Sequence, residues 1–369
     1  MQGFVAPGFE PVQEAFAASF EAGEELGAGF AAYLDGELII DLMGGWCDRQ
    51  ETRAWDETTL VPVYSTTKPI AALTLAHVID RLENGYETPV AEIWPEFAVH
   101  GKTRVTIAEL VSHQAGLPGF AEQIDPDLWL HPHECAQALA ALEPLWEPGT
   151  AHGYHPLSWG YLIGEIVARI DGRSLGTVLR EDITGPEQID FMIGTPASEH
   201  DRIADIMRPR ALPDLGEINA ATRAAFLTPW SSAKRGGPAW REIEIPSANG
   251  HGTARSVAQL YGLFANQGQI GEQRYISEPA FAALTTSRVK GQDLVLPSET
   301  EFAAGVMRNN LGIYGPNPNT LCHSGWGGSL ALGDPDIHLS AAYVMNRQSN
   351  SLQGDPRATR LVHALYDCL

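Results

Sequence analysis

The chain has 369 residues, 44% hydrophobic and 19% charged, enough for a sizeable core and for two to three domains at about 150 residues each. Its 24 Lys and Arg against 46 Asp and Glu leave a formal charge of -22, spread along the chain. Such a surface repels phosphates, which argues against nucleic-acid partners and against docking on anionic membranes.

The N-terminal stretch MQGFVAPGFEPVQEAF has neither a basic region nor an apolar run, so no signal peptide is read there. No apolar run reaches the roughly 20 residues that span a bilayer. Cys47, Cys135, Cys322 and Cys368 are far apart and fit neither a zinc ribbon nor a disulfide framework. A cytoplasmic protein with free thiols is expected.

Residues Phe9 to Leu26 read as a helix, with Val12, Ala15, Phe16 and Phe20 on one face. Ala28 to Leu34 and Glu37 to Met43 are apolar runs joined by Asp35-Gly36, a two-residue turn signal, and predict a hairpin. Thr66 to Glu83 predicts a helix whose middle, Pro69 to Ile79, is apolar apart from Thr74 and His77; lacking a polar face, it is expected to be buried. Thr106 to His113 and Pro156 to Ile170 are the clearest helices of the middle region. Residues 200 to 250, rich in Pro, Gly and Trp, suggest long ordered loops of the kind that wall a pocket. Ser329 to Leu332 and Ile337 to Met345 read as strands flanking Asp334-Pro335-Asp336, and Pro356 to Asp367 as a last helix burying Leu361, Val362 and Leu365. Strands at both ends with helices between imply an α+β fold: one antiparallel sheet built from the two termini, with a helical insertion beside it.

The sharpest chemical signal is Tyr64-Ser65-Thr66-Thr67-Lys68-Pro69. Ser65 stands where a loop enters the buried helix, and Pro69 is tolerated only in a first turn. Ser65 and Lys68, three apart, emerge on the same helical face. A cation in a first turn opposes the helix dipole, and dipole and burial together push a lysine pKa down from about 10.4. A neutral amine beside a hydroxyl is a general base for it, and a backbone N–H at the same helix end stabilises an oxyanion. The structural alternative makes Ser65 an N-cap and Lys68 a solvated side chain.

Two further segments weigh against that alternative: the loop Pro148-Gly149-Thr150-Ala151-His152-Gly153-Tyr154-His155-Pro156, and the stretch Cys322-His323-Ser324-Gly325-Trp326-Gly327-Gly328-Ser329 at the edge of a late strand. Taken in order, S-x-x-K, a loop tyrosine and a late H-x-G resemble the serine β-lactamase and penicillin-binding-protein superfamily. More closely, the chain is similar to the class C β-lactamase-like esterases called family VIII carboxylesterases. Val105 to Pro118 and Asn249 to Ser256 look like further family segments, and Asn346-Arg347 after the last strand also fits, so the resemblance runs over nearly the whole chain.

The resemblance implies a β-lactamase/transpeptidase-like fold: a sheet domain of residues 1–80 and 165–369, a mainly helical domain of residues 81–164, and the active site between them. It makes Ser65 the acylated nucleophile, Lys68 its base and Tyr154 the second proton carrier, the phenol tuned down by Lys68. His323, Ser324 and Gly325 take the place of a K-T-G strand, and the backbone N–H groups of Ser65 and Trp326 form the oxyanion hole; a second register, Trp326-Gly327-Gly328, moves that donor towards Ser329. His155 is carried over to the substrate-binding set.

Two departures bear on substrate. His323, expected to be neutral near pH 7, replaces a lysine that attracts a substrate carboxylate, and Pro156 replaces an asparagine that holds a substrate amide. The implied activity is hydrolysis of short-chain carboxylic esters, small molecules that need no metal or organic cofactor. A β-lactamase, a D-amino peptide or amide hydrolase, or an acyltransferase are alternatives within the superfamily; a catalytically silent binding protein is the alternative outside enzymes. His131, His133 and Cys135 match no metal pattern, and Ser329 in Gly327-Gly328-Ser329-Leu330-Ala331 opens a strand rather than a nucleophile elbow. His113 and His251 read as structural hydrogen bonders, and Trp230 and Trp240 as candidate walls of an acyl pocket.

Overall fold

The structure, a computed structural model, describes residues 1–209, 211–231 and 236–369. The first strands are β1 (Gln2–Val5), β2 (Gly27–Leu34) and β3 (Glu37–Gly45). Three short strands, β4 (Val61–Pro62), β5 (Phe191–Ile193) and β6 (Gly250–Gly252), form a separate small sheet, and β7 (Gln269–Ile270) pairs with β8 (Gln273–Arg274). The C-terminal strands are β9 (Val289–Gln292), β10 (Glu299–Phe302), β11 (Met307–Arg308), β12 (Leu321–Ser324), β13 (Leu330–Asp334) and β14 (Leu339–Met345). Among the described residues the main sheet has nine strands in the order β1-β3-β2-β14-β13-β12-β11-β10-β9, each pair antiparallel.

The two chain ends meet where β2 pairs with β14, with Ala31 opposite Ala342. The β2–β3 turn is the one its residues predict: Asp35 and Gly36 take φ of 50° and 81°, the left-handed pair that follows the twist of a hairpin.

The helices that position the site are α1 (Glu10–Glu21), α2 (Thr67–Ile79), α3 (Ile107–Val111), α4 (Pro132–Ala140), α5 (Ser158–Asp171), α6 (Ala254–Ala265) and α7 (Pro356–Tyr366). On one face of the sheet Phe30, Leu332 and Tyr343 pack with Val12 and Phe16 of α1 and Leu361 and Leu365 of α7. On the other face Ala31, Ala331 and Ala342 are small, which lets α6 lie close. A Cβ at Gly333 would stand 2.5 Å from the carbonyl oxygen of Tyr261, so this crossing requires glycine.

Helix α1 is shorter than its apolar pattern suggests, because Gly23 takes φ 70° and turns the chain so that Leu26 enters the core at the foot of β2. Helix α2 is buried along nearly its whole length, as expected of a helix without a polar face. Residues 81–164, all described, hold helices and 3-10 turns and no strand. Helix α3 opens on a capping box, Thr106 and Glu109 each bonding the other's backbone. No helix among the described residues is long and apolar enough to cross a membrane. The expectation of a loop wall from 200 to 250 falls partly on residues 210 and 232–235, which lie outside the described residues.

Candidate active site

Tyr64–Thr66 forms a single 3-10 turn leading into α2. Thr66, not Ser65, occupies the cap position of the helix, so Ser65 projects from the tighter turn before it. The reading of Ser65 as an N-cap is thereby corrected. Tyr64 adopts φ 48°, a strained conformation for a bulky residue. Packing and hydrogen bonds hold it there: the Val63 carbonyl accepts from Thr66 N–H (3.2 Å) and from the Ser329 hydroxyl (2.8 Å), and the Thr66 carbonyl accepts from the Tyr261 hydroxyl (3.0 Å). The Tyr64 ring lies 6.0 Å from Trp240 and 5.8 Å from Trp326. A Cβ on Gly325 would come within 2.3 Å of the Val63 carbonyl, so glycine is what lets the strand end abut the serine turn.

Lys68 is fully buried. Its Nζ donates to the carbonyls of Pro156 (2.8 Å) and Ser247 (3.0 Å) and stands 3.3 Å from Ser65 Oγ. The two carbonyls take two of the amine's directions, and a third meets the serine. In its neutral form, an amine held this way aims its lone pair at the hydroxyl, as a general base requires.

Tyr154 lies beneath the lysine, its ring centroid 4.6 Å from Nζ and its far face stacked on Phe302 at 6.2 Å. The hydroxyl is buried and makes no hydrogen bond in this arrangement. Burial pushes the phenol well above its ordinary pKa, although Ser65 is near enough to pull the other way. This corrects the expectation of a phenol tuned down by Lys68: the amine lies over the ring face, and desolvation dominates.

His323 shares the cavity. Its Nδ1 faces the Ser324 carbonyl at 2.7 Å and must carry the proton, since a carbonyl only accepts; Nε2 is therefore a lone-pair nitrogen, and it has no hydrogen-bond partner. Burial, with the Lys68 charge adding to it, lowers the imidazole pKa to about 3. The strand position where a cation was the family expectation is thus neutral. The Ser324 hydroxyl pairs with the Tyr314 hydroxyl at 2.7 Å.

Ser65, Tyr154, His323, Ser324 and Trp326 all line one cavity of about 530 Å³. Its lining is largely apolar, with Leu212, Leu215, Phe226, Leu296, Met307 and Leu352, and it also includes Arg208. Trp230 and Trp240 do not line it. Both are buried behind the wall, Trp230 against Phe120 and Trp240 against Tyr64, a correction to the acyl-pocket reading. Gly325 also lies beneath the surface of the cavity rather than in it.

His155 is corrected too. Its Nδ1 bonds the Gly153 carbonyl (2.6 Å) and its Nε2 accepts from Leu117 N–H (3.0 Å), so both ring nitrogens are committed to backbone. It ties the tyrosine loop to the turn after α3 and has nothing left for a substrate. His113, at φ 66°, accepts from His155 N–H at 3.2 Å, and its ring lies tilted 5.0 Å from that of Tyr154. His251 bonds Thr195 and the Asn249 carbonyl. His133 pairs with Glu165 at 2.9 Å, and Cys135 is buried in the core. The Ser329 hydroxyl is turned to the serine turn, where it meets Thr66 Oγ1 at 3.1 Å.

These buried imidazoles carry a prediction for stability. Burial lowers His155, His251 and His323 to about 3 each and His113 in the same direction. A group whose folded pKa is depressed gives stability that is full above its unfolded pKa, about 6.5, and is lost as pH falls towards its folded pKa. At pH 5.5 the three should cost about 4 kcal/mol relative to pH 7.5. Thermal unfolding should show Tm dropping steeply below pH 6.5; a Tm unchanged between pH 7.5 and 5 refutes it.

A serine and a tyrosine lining one cavity, with a buried lysine amine 3.3 Å from the serine hydroxyl, fit the class of the serine hydrolases, and this chain is one. It belongs to the Beta-lactamase family, whose model matches residues 12–364. Its fold is similar to that of a penicillin-binding-protein homolog from Caulobacter crescentus, at 48% identity and TM-score 0.97, covering 100% of this chain and 99% of that one. A family VIII carboxylesterase is similar at 38% identity and TM-score 0.92, again covering 100% and 99%. Among curated sequences, the esterase/beta-lactamase LipL of Mycobacterium tuberculosis H37Rv is 31% identical over 365 residues, 94% of this chain and 82% of LipL.

Proposed function

We propose that the protein hydrolyses uncharged, short-chain carboxylic esters through an acyl-enzyme on Ser65. The observation that carries the reading is Lys68, its Nζ held by the Pro156 and Ser247 carbonyls with Ser65 Oγ 3.3 Å away, in contact with the cavity that Tyr154 also lines. In this scheme Lys68 takes the Ser65 proton as Oγ attacks the ester carbonyl. The oxyanion is met by the backbone N–H groups of Ser65 and Trp326; Trp326 lines the cavity whereas Ser329 faces the serine turn, which favours that register. Tyr154 passes the proton to the departing alkoxide, the C–O bond breaks, and an alcohol leaves. Water then loses a proton to the same relay, attacks the acyl-enzyme and releases the acid. Neither step calls for a metal or an organic cofactor.

Neutral His323 and the absence of an amide side chain at Pro156 favour an ester without a carboxylate over a β-lactam. The apolar walls suit the alcohol part of such an ester. A turnover panel of p-nitrophenyl acetate, butyrate and octanoate beside the cephalosporin nitrocefin tests this. Ester turnover well above nitrocefin cleavage supports the esterase; dominant nitrocefin cleavage makes the protein a β-lactamase, and no turnover with no labelling by a covalent serine probe makes it a silent binder. His323→Lys places a cation on this strand and should raise nitrocefin turnover relative to p-nitrophenyl acetate by roughly tenfold, the worth of about one charge-assisted hydrogen bond. An unchanged ratio refutes the account of this strand.

A further inference from the structure

Tyr154 sits on a loop without regular structure, with its ring stacked on Phe302, and its hydroxyl has no partner of its own. A carboxylate from a remote part of the chain adds a further tie to its backbone. Asp293 lies just past the end of β9, 139 residues on from Tyr154, and is 3% exposed. Its Oδ1 accepts from the backbone N–H of Tyr154 (3.0 Å), Val295 (2.8 Å) and Leu296 (2.9 Å). Its Oδ2 accepts from the Thr300 hydroxyl (3.1 Å), which in turn meets His152 Nε2 at 2.9 Å. A sixth bond runs the other way, Leu294 N–H to the His152 carbonyl at 3.0 Å. The loop before Tyr154 and the β9–β10 hairpin are thus stapled by one buried side chain and the backbone around it.

The staple has two ends that reach the reaction. One is Tyr154 itself; the other is Leu296, whose side chain lines the cavity wall. We infer that Asp293 is a positioning residue for acyl transfer, holding the Tyr154 hydroxyl at the height needed to exchange a proton with Ser65 and the substrate. The inference rests on the proton-carrying role proposed for Tyr154. Burial raises the Asp293 pKa, and the donors from Leu296, Tyr154 and Val295 act against that rise; four donors on one carboxyl group suit the ionised form. A misplacement on the order of 1 Å at a reacting group costs about 10²-fold in rate, so the loss should fall on kcat.

The test is a double-mutant cycle on p-nitrophenyl butyrate turnover with Asp293→Ala, Tyr154→Phe and the pair. Asp293→Ala should lower kcat by roughly 10- to 100-fold with KM within about threefold of wild type. In the Tyr154→Phe background the same change should cost less than about threefold, because the group it positions is already gone. Asp293→Asn keeps an Oδ1 acceptor for the three amides and should recover about tenfold over alanine. If Asp293→Ala does not fold, Asp293→Ser, too short to reach all three amides, takes its place in the cycle. Equal losses in both backgrounds overturn the inference alone and make Asp293 a purely structural anchor. A Tyr154→Phe enzyme as active as wild type overturns the inference together with the role of Tyr154.

Discussion

Replacing Ser65 by alanine is expected to reduce p-nitrophenyl butyrate turnover by roughly 10⁴-fold or more, leaving only what an oxyanion site and binding supply without a nucleophile. The fold should survive. Ser65 is not the cap of α2, and its hydroxyl contributes to the interior through Lys68 Nζ, which the Pro156 and Ser247 carbonyls also hold, and through its proximity to the Tyr154 hydroxyl. Deleting it removes about 1 kcal/mol of hydrogen bonding, while the Pro156 and Ser247 carbonyls continue to hold the amine. The strain at Tyr64 is held by Val63, Thr66, Ser329 and Tyr261, none of which the substitution touches. Activity, labelling by a serine probe and Tm should therefore separate cleanly. Retained turnover in a folded Ser65→Ala enzyme would falsify the acyl-enzyme mechanism.

The second large effect is expected at Tyr154. Tyr154→Phe should lower kcat by roughly 10²- to 10⁴-fold, the range of a general acid–base group, while KM changes little. Its effect on stability should have the opposite sign to most core substitutions. The hydroxyl is buried without a hydrogen-bond partner, so removing it relieves a desolvated polar group and leaves the stacking on Phe302 and the lysine over the ring in place. Tm should stay level or rise by a few degrees as activity falls, the trade expected where a site keeps a polar atom for chemistry rather than for folding. A drop in Tm together with activity would show that the hydroxyl is part of the packing.

Local chemistry made much of this molecule readable. The all-apolar middle of α2 announced its burial, and Asp35-Gly36 announced the hairpin with both residues left-handed. Strands near the two termini announced a sheet shared between them, which the pairing of β2 with β14 realises. Ser65, Lys68 and Tyr154 were legible because two are a helical turn apart and the third falls in a loop of recognisable residue order. His323 was legible as a neutral group, and burial with the lysine nearby makes it so.

The misses share a cause. His155 was assigned to substrate by its place beside Tyr154, but whether a ring nitrogen is free depends on which carbonyl and amide it meets, here Gly153 and Leu117. Trp230 and Trp240 were candidates for a wall, with packing as the alternative usual for large aromatics in proline-rich loops, and the chain turns both inward. Asp293 was not singled out at all. Within Lys290-Gly291-Gln292-Asp293-Leu294 it reads as an ordinary turn carboxylate, and no spacing rule links it to a tyrosine 139 residues away.

By itself, then, the sequence determined the elements, the family and the candidate trio of Ser65, Lys68 and Tyr154, because propensity, turn chemistry and helical spacing act over a few residues and leave a local trace. Tertiary structure alone decided which histidines are spent on backbone, how high the Tyr154 phenol is pushed, what shape the cavity has, and that Tyr64 is held in a strained conformation before Ser65. Those properties come from desolvation and from contacts between segments a hundred or more residues apart, and such terms exist only once the chain has closed on itself.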